Sequence, residues 1–343
     1  MFSGSNRRRR AEPWLSSAAQ YRPKWIITVF LAGALVLFPL KPNIETSALA
    51  GTSAAASEHP AEYQIEALQP ARWPEDKLTI ANLGHSTLLM NFFGVRVISD
   101  PSLFEQVGLT LGPLVTVGPH RLTPAPLKPS QLQQLDLILV THAHMDHLDL
   151  NSLKVLPKNA VVVACTGCAT LIKPLGYSDV RELRWGERTS VKELTVTAMG
   201  ANHWGKRWPW GRTYGFNSYV LEKSGHRMLL ACDSAITDLF APLHQNPPEV
   251  AAFSIGAYDP WIWNHADPEQ VWAMFAQTGA HYLVPLHWGT FRLSKEPMDE
   301  PMRRLIAAAG PESNRIVLRK IGVAWRLPES PAKHSELRAR SGH

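Results

Sequence analysis

Cysteine is scarce, with three in 343 residues, too few for a disulfide scaffold. Charge is sparse as well, at 19% against 45% apolar residues, and that balance excludes a disordered chain. Basic residues are concentrated at the start. Residues 1–50 carry seven Lys or Arg against Glu12 and Glu45, which leaves only +1 of the net +6 on the rest of the chain. A nucleic-acid surface needs basic residues on the folded part itself, so nucleic acid is set aside as a partner. No Gly-rich dinucleotide fingerprint is present, so redox chemistry through a flavin or nicotinamide has no carrier in this chain.

The apolar run Trp25–Leu40 has sixteen residues without a charge. At 1.5 Å per residue it spans about 24 Å, short of the ~30 Å hydrocarbon core. Basic residues precede it, and Ala48-Leu49-Ala50 fits a small-residue cleavage site. Residues 1–50 therefore read as a secretory signal peptide cut after Ala50. An uncleaved signal anchor is the rival, favoured by the long basic segment before the run. A buried core helix is the plain alternative. Either export reading puts the rest of the chain outside the cytoplasm, periplasmic or anchored to the membrane. Residues 51–76 are rich in Ala, Ser, Glu and Pro and read as a linker. Residues 77–327 read as one domain, and 328–343 as a polar tail.

Within the domain, apolar runs and alternations predict strands at Leu78–Leu83, Ser86–Phe93, Val95–Ser99, Leu135–Val140, Val161–Ala164, Val191–Ala198, Val250–Ile255 and His281–Pro285. Tyr219–Leu221 and Arg227–Cys232 form a predicted hairpin around Ser224-Gly225. Arg315–Leu318 and Ala324–Leu327 are predicted closing strands. Helices are predicted near Ala169–Leu175, over Pro268–Thr278 with Asp267 as N-cap, and over Met298–Ala309. Residues 102–134 form a long irregular excursion, of a length that is usually functional. Two β-rich halves with helices between them give a layered α/β protein.

The chemistry centres on His142-Ala143-His144-Met145-Asp146-His147, directly after a buried strand. Imidazole and carboxylate are the ligands of zinc and related divalent ions. Four donors in six residues exceed one tetrahedral site once distant ligands join, and so suit two ions. A solvated polar loop is the plain alternative, but three histidines at a strand end have no folding role.

This motif resembles that of the metallo-β-lactamase superfamily. The resemblance implies an αββα sandwich with a dinuclear site at the edge of the sheets. It assigns His142, His144 and His203 to one metal and Asp146, His147 and His287 to the other, with Asp233 as bridge. The segments Leu83-Gly84-His85-Ser86, Ile98-Ser99-Asp100-Pro101, Ile255-Gly256-Ala257-Tyr258, His265-Ala266-Asp267-Pro268-Glu269 and His287-Trp288-Gly289-Thr290-Phe291 are similar to the branch that holds N-acyl-phosphatidylethanolamine-hydrolysing phospholipase D. Met145 departs from the tyrosine often found there.

That branch implies a zinc-dependent phosphoric diester hydrolase of phospholipase D type, with iron or manganese left open as the metal. Two ions sharing a water lower its pKa, and the resulting hydroxide attacks phosphorus. N-acylethanolamine leaves and phosphatidic acid remains. Asp146, Asp233 and His265 are the candidate catalytic residues. His265 would orient the phosphate or protonate the leaving alkoxide; its plain alternative is a helix-start histidine. Asp100 is expected to orient a ligand histidine, whereas His85 is equally well a core histidine. Trp204, Trp208, Trp210 and Trp288, with Lys206, Arg207 and Arg212, suit a phospholipid headgroup boundary, so the expected partners are phospholipid and a membrane surface. Ordinary packing is the alternative for these aromatics. A homodimer is implied by the resemblance alone. The other function classes kept open are a lactonase or hydrolase of a small phosphorylated or acyl substrate, and a metal-stabilised binding protein. Cys165 and Cys168 read as packed core residues or a local disulfide, and Cys232 as packed beside Asp233.

Overall fold

The computed structural model describes residues 68–111, 115–208, 210–231 and 233–329. The leader or anchor (1–50), the linker up to residue 67, the tail from residue 330 and Cys232 lie outside them. Among the described residues, no helix is long and apolar enough to cross a membrane.

Among the described residues, fifteen strands and four α-helices follow in chain order. They are β1 (Leu78–Gly84), β2 (Thr87–Phe92), β3 (Val95–Ser99), β4 (Leu109–Leu111), β5 (Val115–Val117), β6 (Leu137–Val140), α1 (Leu150–Val155), β7 (Val161–Cys165), α2 (Ala169–Ile172), β8 (Val180–Leu183), β9 (Arg188–Val191), β10 (Leu194–Met199), β11 (Ser218–Lys223), β12 (His226–Leu230), β13 (Val250–Ser254), α3 (Pro268–Thr278), β14 (Tyr282–Leu286), α4 (Glu300–Ala309) and β15 (Ala324–Arg326). One sheet has seven strands in the order β15-β1-β2-β3-β6-β7-β8; the other has six, β14-β13-β12-β11-β10-β9.

Alternation along the strands explains the layers. In β6, Leu137 and Leu139 join the apolar cluster between the sheets, with Leu194, Val196 and Leu230 of the facing sheet. Their neighbours Ile138 and Val140 point the other way, onto Leu153 of α1 and Ile172 of α2. On the far side, Val271 and Phe275 of α3 and Leu305 of α4 cover Ala251 and Phe253 of β13. The result is the expected αββα sandwich. Its strands β3, β6 and β7 are parallel, as are β12, β13 and β14, and so bring their C-terminal ends to common edges.

Several sequence expectations change. The single strand over Val191–Ala198 is a hairpin of β9 and β10, because Lys192 and Glu193 take φ of 46° and 66° and turn the chain. That turn lacks the Gly or Asn that usually marks it. Arg315–Leu318 is not a strand; it makes one parallel bridge, Leu283 to Ile316. The excursion at 102–134 contains the β4–β5 hairpin. Helix α1 was not anticipated, although Asp149 caps it by accepting from the main-chain N–H of Asn151 and Ser152. The end of the segment read as a linker is packed on the fold. Trp73 is buried, Asn91 donates to the carbonyl of Pro74, and Arg96 donates to that of Pro70.

Candidate metal centre

Every motif histidine and carboxylate sits just beyond a strand end, and the two sheets deliver them to one place. The first set is His142, His144, His203 and Asp233, whose donor atoms all lie within 4.8 Å of one another. The second is Asp146, His147 and His287, joined by His85 within the same limit. Asp233 lies between the sets. Its Oδ2 is 3.0 Å from His147 Nε2, 3.4 Å from His287 Nε2, 3.7 Å from His142 Nε2 and 3.9 Å from His203 Nε2. Its other oxygen accepts the Ser254 hydroxyl at 2.6 Å, which fixes the carboxylate between the two groups.

Outer partners choose which ring nitrogen faces inward. His203 Nδ1 donates to the Asn264 carbonyl at 2.9 Å, leaving Nε2 as the bare acceptor. His142 Nδ1 meets the Thr141 hydroxyl at 2.9 Å. His147 Nδ1 donates to Asp100 Oδ2 at 2.8 Å, and Asp100 also accepts from the N–H and hydroxyl of Thr141. Asp100 thus stands where the sequence places it, behind a ligand histidine.

Burial holds the imidazoles of His142, His203 and His265 below their ordinary pKa, those of His142 and His265 well below it, with neighbouring histidines adding to the effect. The same causes take His144 down to about 3. Burial opposes ionisation of Asp146 and Asp233, but the surrounding histidines outweigh it and keep both carboxyls well below their usual range. Neutral imidazoles and ionised carboxylates are the protonation states a divalent ion requires. Buried His144 Nε2, His265 Nδ1 and His287 Nε2 have no hydrogen-bond partner. Such orphaned nitrogens are costly unless something binds them. This donor set fits two divalent ions.

His265 is not the cap of α3; Asp267 performs that role, accepting from Gln270 N at 2.9 Å. The His265 ring turns inward instead, with Nδ1 4.0 Å from Asp233 Oδ2. Trp204 packs over His144, with ring centroids 4.7 Å apart, and is exposed on its outer side. Trp210 is 85% exposed and stacks on the half-buried Trp208. Trp288 differs from these, because it packs half-buried against the α3–α4 layer. Two of the cations also turn away from the expected headgroup boundary. Arg207 donates to the carbonyls of Ala143 and Leu148, each at 2.8 Å, and so clamps the motif loop from beneath. Arg212 binds the Gly167 carbonyl. Cys165 and Cys168 are free, buried thiols whose sulfurs lie 3.0 Å apart.

Two residues stand closer to the site than the sequence reading placed them. One is His85, brought beside Asp146 by the β1–β2 turn. The other is Arg207, whose position in a Trp-rich loop reads as surface. Nothing in either local sequence signals the inward turn.

Residues 96–288 match the family model described as "Beta-lactamase superfamily domain". An uncharacterized protein of Mycobacterium tuberculosis is 32% identical over 251 residues, 70% of this chain and 66% of its own length. The N-acyl-phosphatidylethanolamine-hydrolyzing phospholipase D 1 of Caenorhabditis elegans is 26% identical, over 72% of this chain and 75% of that protein. The mitochondrial enzyme of that name from Saccharomyces cerevisiae is 30% identical, over 65% of this chain and 50% of its own length. Among solved structures, the isothiocyanate hydrolase from Delia radicum gut bacteria aligns with a TM-score of 0.59 at 18% identity, over 74% of this chain and 99% of that one. The chain belongs to the β-lactamase superfamily and has the metallo-β-lactamase fold; it spans just under two thirds of the length of the first curated relatives it matches.

Proposed function

We propose that this chain is a metal-dependent hydrolase, more narrowly a zinc-dependent phosphodiesterase of phospholipase D type, cleaving N-acyl-phosphatidylethanolamine-like lipids to N-acylethanolamine and phosphatidic acid. The observation that carries the lipid reading is the apolar rim. Trp204, Trp210, Trp261 and Trp263 are exposed, the last by 83%, and so are Ile236 and Leu239. All six stand on the loops that also carry His203, Asp233 and His265. Exposed aromatic residues on the loops that carry the candidate site suit the headgroup level of a bilayer. The names of the nematode and yeast relatives support the same substrate.

Two bound divalent ions supply Lewis-acid polarisation of a phosphoryl oxygen and a nucleophile at neutral pH. The ions would be held by His142, His144 and His203 on one side, by Asp146, His147 and His287 on the other, and by Asp233 between them. Ser254 and Asp100 keep these groups in place. His265, neutral in its buried position, presents a single N–H. That favours donation of a hydrogen bond to a phosphoryl oxygen over protonation of the leaving alkoxide. The rim draws the lipid headgroup to this site while the acyl chains stay in the membrane. Export by residues 1–50, placing the site outside the cytoplasm, belongs to the same proposal; fractionation with N-terminal sequencing tests it.

The direct test is phosphatidic acid release from N-acyl-phosphatidylethanolamine in detergent micelles by the full chain with two equivalents of zinc, beside Asp146→Ala. Release by the wild type alone is expected. No release from a wild type that holds two ions would remove the lipid reading and leave hydrolysis of small phosphorylated or acyl substrates.

A further inference from the structure

His85 is built into the second ligand set more firmly than a packed core histidine needs to be. It is 2% exposed and sits at φ 53°, a left-handed conformation costly for a residue with a side chain. The strain is held from three directions. Its main-chain N–H donates to the Thr290 hydroxyl at 2.6 Å. Its carbonyl accepts from the N–H of His287 at 2.9 Å. Its Nε2 lies 2.7 Å from Asp146 Oδ2. His287 is itself left-handed, at φ 61°, and its ring centroid is 4.0 Å from that of His85. Gly84, next to it, leaves no room for a Cβ, because Arg121 Nη2 would lie 2.4 Å away. Arg121 donates there to the Leu83 carbonyl, so the turn is braced from beneath.

One residue thereby joins two ligands of the same set. Its side chain holds the carboxylate of Asp146, and its backbone holds the turn that aims His287. His85 Nδ1 is buried without a partner, which leaves the ring proton on Nε2, where Asp146 accepts it. We propose that His85 is a positioning residue for the second ion: it donates to Asp146 and assembles the Asp146–His147–His287 set before the ion binds. The arrangement mirrors Asp100 and His147, with donor and acceptor exchanged. The inference rests on the two-ion reading above.

The test uses the full chain, stripped with a chelator and reloaded with zinc. Two affinities are read by competition with a chromophoric chelator, and stoichiometry by elemental analysis. In His85→Ala one of the two equivalents is expected to lose about 10–100-fold in affinity, the range for removing an outer partner, while the other stays within about twofold. His85→Gln keeps an N–H donor at the same reach and is expected to recover most of the loss. His85→Asn, too short to reach, is not. Melting curves of the metal-free variants separate this from misfolding, since a purely structural role would lower the melting temperature of the Gln and Asn variants alike without a selective metal effect. Unchanged affinities in His85→Ala would overturn the proposal. So would complete loss of one equivalent that Gln does not restore, which would make His85 a direct ligand. A wild type holding one equivalent would break the two-ion reading instead; His85 would then be judged by whether that equivalent weakens in Ala and returns in Gln.

Discussion

The two ligand sets share Asp233 but are built differently. Around the first, His142 and His203 are oriented by neutral partners, a hydroxyl and a carbonyl. His144 lies beneath Trp204 at the exposed rim. Around the second, the orienting bonds are charge-assisted. The Asp100 carboxylate holds His147, and the Asp146 carboxylate accepts from His85. These bonds are about twice as strong as neutral ones, and His147 and Asp100 are wholly buried. The second set is therefore held by stronger outer bonds than the first, while neither set is wholly buried: His144 in the first and Asp146 in the second are half-buried.

The largest expected effect strikes both sets at once. Asp233→Ala should weaken both ions and lower turnover by more than the ~100-fold typical of losing an outer partner, measured by zinc content and initial rates. Next is Asp100→Asn. It weakens the hold on His147 and should cost the second ion about 10–100-fold in affinity, and the first ion less, because Asp100 reaches His142 only through the Thr141 hydroxyl; a two-site chelator competition reads both, and equal loss at both sites would erase the contrast between the sets. Gly84→Ala follows. The new Cβ would meet Arg121 at 2.4 Å from a φ of 104°, so a destabilisation of about 1–3 kcal/mol is expected in chemical unfolding of the metal-free chain. Arg207→Ala should loosen the motif loop from below, leaving the Ala143 and Leu148 carbonyls without this donor, for about 1–3 kcal/mol in the same assay. The smallest effect on chemistry is expected from Trp210→Ala with Trp263→Ala. Liposome binding should fall several-fold, while hydrolysis of a short-chain soluble phosphodiester stays within about twofold. Unchanged liposome binding would remove the rim from the account.

The contrast also marks what the sequence could and could not reveal. His142, His144, Asp146 and His147 were legible because one short motif follows one buried strand. His203, Asp233 and His287 were legible only through the resemblance to the superfamily, which expects such ligands just past later strands. The layered α/β class followed from apolar runs with helices between them, and the αββα arrangement from the resemblance; which way Leu137 and Leu139 face against Ile138 and Val140 does not show in a uniformly apolar run. What escaped depends on backbone geometry. His85 acts through a left-handed turn and contacts some 60 and 200 residues away in the chain, and no local pattern carries those. The β9–β10 turn hid because Lys192 and Glu193 adopt positive φ without glycine. Helix α1 hid because six residues are too few for a helical period to show. Arg207 looked like a surface cation because a half-buried guanidinium bound to main-chain carbonyls has no sequence signature.

The most direct test of two sets sharing one carboxylate is a count of zinc ions per chain after stripping, reloading and gel filtration. Wild type, Asp233→Ala, Asp146→Ala and His203→Ala would be compared. The account expects two ions in the wild type, fewer than one in Asp233→Ala, and one in each of the other two. Two ions retained in Asp233→Ala, or a single ion in the wild type, would contradict it.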